Sequence, residues 1–411
     1  MKEFGKITLA KTGRILNQFF KKNIWVQLLV IVVFAAVVRC VYWVIAPEAH
    51  AGDTHTYLTI AQAIRDGKIA VALEFPFHIV YSLLLVPGFI IPNGLIWYIP
   101  LLHIGLSSIA VVLLFLISRE ITQDSRAHLL TAVVGVFYPS LLHWMKYILT
   151  EVAFVTILLA FVYLTIRILR KPNNTLWIIW VCFAIIVLFT RPVSLLVLVV
   201  SGIAVVAGGL RRYFPERWSL ITGALVFLGI IIGIVILSIP AVNQSVATLH
   251  SVTESLWLST RVVSGTFDEY TKAELPPETS GMTASELREY KKNISITFIR
   301  TQPGKYILMA VERFFNYFYP WIHPQWSFRH RLFDAALSIV LTITAFASLK
   351  APVNKNLILF LVTCVFALGV TTAFSQIDTD GRYRLPAEVL IVPVSCAGFV
   401  DMVRKSKKAL A

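Results

Sequence analysis

Apolar runs of helix-spanning length recur along the chain, near Ile24–Ala46, Leu95–Ser118, Ala127–Met145, Glu151–Leu169, Leu176–Phe189, Pro192–Leu210, Ser219–Ile239, Phe333–Leu349, Asn356–Phe374 and Pro386–Val403. A hydrocarbon core ~30 Å thick needs about 20 such residues in helical form. The pattern therefore predicts an all-α integral membrane fold with about ten transmembrane helices. The two runs flanking Arg191 are short. Phe77–Ile91 is apolar too, but it carries His78 and Pro87 and is followed by Pro92, so it reads as a further span or as an interfacial helix.

Basic residues choose between these options, because short cytoplasmic loops collect Lys and Arg. With Phe77–Ile91 kept on the outer side, one face receives the N-terminal lysines together with Arg119/Arg126, Arg167/Arg170/Lys171, Arg211/Arg212/Arg217, Lys350/Lys355 and the Arg404–Lys408 tail. Making it a full span scatters these groups. The expected topology has both termini cytoplasmic, in a plasma or inner membrane, and Ile24–Ala46 serves as an uncleaved first span. Three organisational parts follow: an N-terminal transmembrane module (1–240) with an outer loop at 47–94, an extracytoplasmic segment (241–330) with an aromatic stretch, and a C-terminal transmembrane module (331–411).

Composition agrees with that reading. Of 411 residues, 57% are hydrophobic and 14% charged, against about 25% charged for a soluble domain. The formal net charge of +15 would suit a polyanion, but 20 of the 37 Lys and Arg lie on the expected cytoplasmic side. The excess is an orientation signal matched to anionic inner-leaflet lipids, and no nucleic-acid partner is expected. Cys40, Cys182, Cys364 and Cys396 all fall in apolar runs without paired spacing and read as packed thiols.

The outer side holds the candidate chemistry. Asp53 follows the first span and opens a stretch of helical periodicity; it is either an N-cap or a general base at the lipid boundary, and spacing alone leaves both open. His50, Asp53 and His55 have only a generic spacing for a metal. Glu151 starts an apolar run behind Thr150, as a carboxylate favoured by the helix dipole or as a costly intramembrane charge that needs a partner. Lys146 is a candidate partner or phosphate contact. Arg191, before Pro192 in a tight turn, either snorkels or faces an anion. Arg382-Tyr383-Arg384 stands before the last span, against the positive-inside bias, as an interfacial belt or a phosphate fork, with Asp378 and Asp380 as candidate salt partners. Of the charged residues, only Arg39 is expected to lie within a span.

These landmarks, in order, resemble the GT-C superfamily of membrane glycosyltransferases, closest to its protein-mannosyltransferase-like and aminoarabinose-transferase-like branch. The resemblance rests on Gly52-Asp53 with Tyr57 and Ala61, Phe75-Pro76, Tyr138-Pro139, Thr150-Glu151, Thr190-Arg191-Pro192 and Arg382-Tyr383-Arg384-Leu385-Pro386. It implies an enzyme taking a sugar from a polyprenyl-phosphate donor to a glycan, lipid or protein acceptor, by inversion. It implies Asp53 as catalytic base, Glu151 in a supporting role, and Lys146, Arg191, Arg382, Tyr383 and Arg384 around the donor phosphate. No cofactor is expected; the first loop lacks the paired acids of some metal-dependent relatives, so a divalent metal has no support. Two other readings compete: a polysaccharide polymerase or O-antigen-ligase-type enzyme, and a lipid-linked sugar transporter or flippase.

Overall fold

Helix α1 (Ile24–Ile45) turns Gln27, Ile31, Ala35 and Arg39 inward, one every four residues, and exposes Leu29, Val33, Val37 and Val41. Apolar outside and polar inside is the pattern of a helix dissolved in lipid. The computed structural model describes residues 23–46, 53–73, 75–210, 257–261, 275–318, 328–375 and 382–409, and these contain helices and no named strand.

An amphipathic helix α2 (Thr54–Arg65) buries Tyr57, Ile60 and Ala61. It leads through short α3 (Ile69–Leu73) and a tight turn at Pro76–His78 into α4 (Ile79–Ile90). Helix α4 packs on α2 and folds back against the long α5 (Gly94–Ile121). That hairpin depends on Gly94, where a Cβ would stand 2.7 Å from the Gly88 carbonyl oxygen. The chain continues through α6 (Ser125–Phe137), α7 (Pro139–Met145), α8 (Glu151–Arg170), α9 (Asn174–Thr190) and α10 (Leu195–Leu210). Asp124 and Asn173 cap α6 and α9 by accepting the Arg126 and Leu176 amides at 3.0 and 2.8 Å.

Beyond the next described break come α11 (Ala284–Thr301), α12 (Pro303–Phe318), α13 (Phe328–Ser348), α14 (Lys355–Ser375) and α15 (Leu385–Ala409). Helix α15 is central, buried almost continuously from Leu385 to Gly398 and packed on α5, α6, α8, α13 and α14. A Cβ at Gly398 would fall 1.8 Å from the Thr344 carbonyl oxygen, so α13 and α15 meet backbone to backbone. Close approach at small residues is how helices associate where lipid supplies no hydrophobic drive. Helix α12 lies along the end of α14, with Tyr306 Oη donating to Phe374 O at 2.7 Å and Phe318 covering Gly369.

Among the described residues, six helices are long and apolar enough to cross a membrane: Ile24–Ile45, Gly94–Ile121, Ser125–Met145, Glu151–Arg170, Lys355–Phe374 and Leu385–Ala409. Four shorter apolar helices lie at Pro76–Ile90, Asn174–Thr190, Pro192–Gly208 and Ala335–Ser348. The expected run Ser219–Ile239 lies outside the described residues, as do the N-terminal lysines and the stretches 241–256, 262–274 and 319–327 of the segment 241–330. The all-α multi-pass membrane fold is as expected. The expectation that only Arg39 sits within a span is corrected: α15 also buries Glu388 and Asp401. Sequence pattern misses both because each lies close to an end of the apolar run.

The basic loops converge at one end of the bundle. Arg170 donates to Glu120 Oε2 at 2.5 Å, Arg167 stands 3.6 Å from the same carboxylate, Asn354 N donates to Ile121 O, and Lys405 Nζ donates to Lys350 O. Asp53, Glu151, Arg191 and Arg382 meet at the helix ends opposite these loops.

Candidate active site

Asp53 occupies the N-cap position of α2, and its backbone carbonyl accepts the Tyr57 amide at 3.2 Å. Its carboxylate makes no cap bond. Oδ2 instead accepts Arg382 Nη1 at 2.8 Å, and the Asp53 side chain remains about half exposed (48%). The capping explanation for an aspartate here therefore does not describe this side chain. The start of α2 is tied to the stretch before α8 by Thr54 Oγ1, which donates to Ile148 O at 3.2 Å.

Glu151 is the first residue of α8 and is almost fully buried. Its Oε1 accepts Arg191 Nη2 at 2.7 Å, and Arg382 Nε lies 4.0 Å from the same oxygen. Oε2 is buried with no hydrogen-bond partner among the described residues. Arg191 sits between α9 and α10 in extended conformation ahead of Pro192, which starts the next turn where no amide hydrogen is needed. It is buried, so it does not snorkel. A buried ion pair repays its desolvation only when other contacts share the charge. Here Tyr383 helps, its ring centre 4.7 Å from Arg191 Cζ and 5.0 Å from Arg382 Cζ. Arg382 Nη2 donates to Tyr383 Oη at 3.2 Å, and Tyr317 Oη, from α12, donates to Tyr383 O at 3.2 Å.

The electrostatics follow from this arrangement. Burial acts to raise the Asp53 carboxyl, but Arg382, with Arg191 and His78 adding, outweighs it and holds the group below its ordinary value. Burial acts to lower Arg191, and Glu151 with two tyrosines overcomes that, so the guanidinium keeps its proton more firmly than usual. Burial pushes the Tyr57 and Tyr383 phenols up, and both stay neutral hydrogen-bonding groups.

Five of the seven expected site residues thus come together: Asp53, Glu151, Arg191, Arg382 and Tyr383. Arg384 is engaged within the bundle, its Nε donating to Glu388 Oε1 at 2.7 Å, while Tyr138 Oη donates to Glu388 Oε2 at 3.1 Å. Lys146 lies with its Nζ 5.3 Å from the Tyr147 ring centre, and no ion pair to Glu151 appears among the described residues. His55 turns toward Thr59 Oγ1 at 3.4 Å and His50 is outside the described residues. Asp378 and Asp380, the candidate salt partners of the arginines, are also outside them.

Glu388 and Tyr317 were not identified from the sequence. Glu388 left a signal, a carboxylate four residues after Arg384 in an apolar helix; Tyr317 left none apart from its aromatic neighbours. Chemically, the set pairs one accessible carboxylate with two fixed guanidinium groups, an arrangement suited to taking a proton beside a bound anion.

Residues 79–240 match the family model of dolichyl-phosphate-mannose-protein mannosyltransferases. That family belongs to the GT-C superfamily, so the superfamily resemblance is confirmed over this stretch, which carries Tyr138, Glu151 and Arg191 but not Asp53 or Arg382. No curated protein matches the chain significantly. The family implies a membrane glycosyltransferase that draws on a polyprenyl-phosphate-linked sugar.

Proposed function

On the premise of that family match, we propose that the chain moves a sugar from a polyprenyl-phosphate donor to an acceptor hydroxyl at the outer membrane face, with inversion at the anomeric carbon. The observation that carries the reading is the Asp53 carboxylate, free of its helix cap and directed at Arg382 beside Arg191, Glu151 and Tyr383.

In this mechanism the acceptor oxygen attacks the anomeric carbon while its proton passes to Asp53. The bond from that carbon to the phosphate oxygen breaks, and the electron pair leaves with the polyprenyl phosphate. Arg382 and Arg191 meet the growing negative charge, a contribution of about 3 kcal/mol for each fixed donor. Phosphate and Asp53 compete for Arg382. Donor binding would draw the guanidinium from Asp53 and let the carboxylate's basicity rise as the acceptor arrives. One displacement without a covalent intermediate inverts the centre.

The outer-face assignment is supported by the basic loops gathered at the opposite end of the bundle. The family match favours transfer over the ligase and transporter readings. For the acceptor, a hydroxyl on a glycan, lipid or protein fits equally.

The test is reconstitution in liposomes with a panel of polyprenyl-phosphate sugars, comparing wild type with Asp53→Asn. The variant should fold and bind donor yet lose transfer. Full activity in Asp53→Asn would sink the base assignment.

A further inference from the structure

Arg39 is fully buried in α1, and its partners are neutral: Nε donates to Ser107 Oγ at 2.6 Å, Nη1 to Ala35 O at 3.2 Å and Val136 O at 3.4 Å, and Nη2 to Gly135 O at 3.4 Å. The last two contacts have a cause in the sequence. Gly135 O would normally accept an amide hydrogen from residue 139, but Pro139 has none to give. Helix α6 ends there, leaving its final carbonyls without intrahelical donors at the buried residues Gly135 and Val136. A guanidinium presents five N–H groups in a rigid fork, and from α1 it reaches both freed carbonyls and the Ser107 hydroxyl on α5 together.

The same break places Tyr138 in extended backbone (φ −63°, ψ 115°), out of either helix. Its hydroxyl then reaches across to Glu388 Oε2 at 3.1 Å, and Glu388 Oε1 accepts Arg384 Nε at 2.7 Å. Arg384 directly follows Tyr383, whose ring contacts Arg191 and Arg382. Every member is at least nine-tenths buried: Arg39 0%, Tyr138 2%, Glu388 8% and Arg384 5% exposed.

We propose that Arg39, Tyr138, Glu388 and Arg384 form a positioning relay that fixes the Arg382-Tyr383 turn against Glu151 and Asp53. In this view Arg384 acts through Glu388 and does not touch the donor phosphate. The inference rests on the proposed function, since it takes Arg382 as the donor-side contact. Directional hydrogen bonds are suited to such positioning. Apolar packing holds helices together in lipid, whereas a bonded carboxylate also sets the rotation of the helix end it sits on.

Two conservative variants test it in the full-length protein in liposomes, Tyr138→Phe, which removes one hydroxyl, and Glu388→Gln, which removes a charge. Each should raise the donor KM about tenfold and leave kcat within about twofold, since a hydrogen bond to a buried charge is at stake. Arg39→Lys, which cannot span both carbonyls, should move KM in the same direction. Tyr138→Phe combined with Glu388→Gln should cost less than the product of the two single effects. An unchanged donor KM, or a loss of kcat with KM intact, would overturn the relay. A wild-type protein that turns over none of the donors would overturn the functional reading instead; in that event independent, additive effects of Tyr138→Phe and Glu388→Gln on the thermal midpoint would overturn the relay as well, and coupled effects would uphold it.

Discussion

Asp53 and Arg382 stand 329 positions apart in the chain and meet through a 2.8 Å bond from Nη1 to Oδ2. The contact joins the start of α2 to the turn before α15, and it leaves the carboxylate accessible. Its chemical meaning can be read by removing one end at a time.

Asp53→Asn keeps the size and hydrogen-bonding capacity of the side chain but cannot take a proton. Transfer should fall by about 100-fold or more, the usual contribution of a positioned base. Donor binding, followed by equilibrium titration, should stay within a few-fold of wild type.

Arg382→Ala should weaken donor binding far more than Lys305→Ala, an exposed cation on α12. One charge-assisted contact to phosphate contributes about 1.5–3 kcal/mol, which is roughly a ten- to hundred-fold change in affinity. Equal effects from the two substitutions would remove the phosphate site from this turn.

Acid should leave the free enzyme active until low pH. Arg382 holds the Asp53 carboxyl below its ordinary value of 3.8. A carboxyl whose folded value is depressed contributes above its unfolded pKa, and that contribution is lost as pH falls through the folded value. The acidic limb of kcat/KM due to this group is therefore expected below the ordinary carboxylate range. Arg382→Gln should shift it upward; a limb that stays in place would show that another group titrates.

Arg191→Ala leaves the Glu151 carboxylate, whose side chain is 1% exposed, with only the more distant Arg382 guanidinium at 4.0 Å among the described residues. Breaking one partner of a buried pair costs about 3–5 kcal/mol. The double variant Arg191→Ala/Glu151→Ala should unfold at a higher temperature in detergent than Arg191→Ala alone. A lower midpoint would mean that Glu151 is stabilised by something other than Arg191.

Gly398→Ala tests the helix contact that seats α15. The added methyl would meet Thr344 O at 1.8 Å, so α13 and α15 must separate. A loss of about 1–3 kcal/mol is expected, visible as a lower thermal midpoint. An unchanged midpoint would show that the two helices part without strain.

Much of this architecture is legible in the sequence, for identifiable reasons. The spans are, because about twenty apolar residues in succession admit few other structures. Glu151 and Arg191 stand out because charges at the ends of apolar runs need partners, and they partner each other. Spacing cannot decide between cap and base for Asp53, since both place an aspartate before a helix. Only the position of Arg382, brought in from the far end of the chain, shows that the carboxylate does not serve as the cap. Arg384 shows a different limit. Next to Arg382 it looks equivalent, yet the turn into α15 points neighbouring side chains in different directions, and Glu388 lies one helical turn on. Tyr138 is visible as a landmark beside Pro139, but its partner lies 250 positions away.

Arg191 and Arg382 both rest against the Tyr383 ring, and both are engaged by carboxylates. Two like charges are thereby assembled in one place during folding, so the donor phosphate of the proposed reaction would meet counter-charges whose positions the fold has already set. The free energy of gathering these like charges is met once, in folding, and only the exchange of Arg382 from Asp53 to phosphate would recur in each cycle of the proposed reaction.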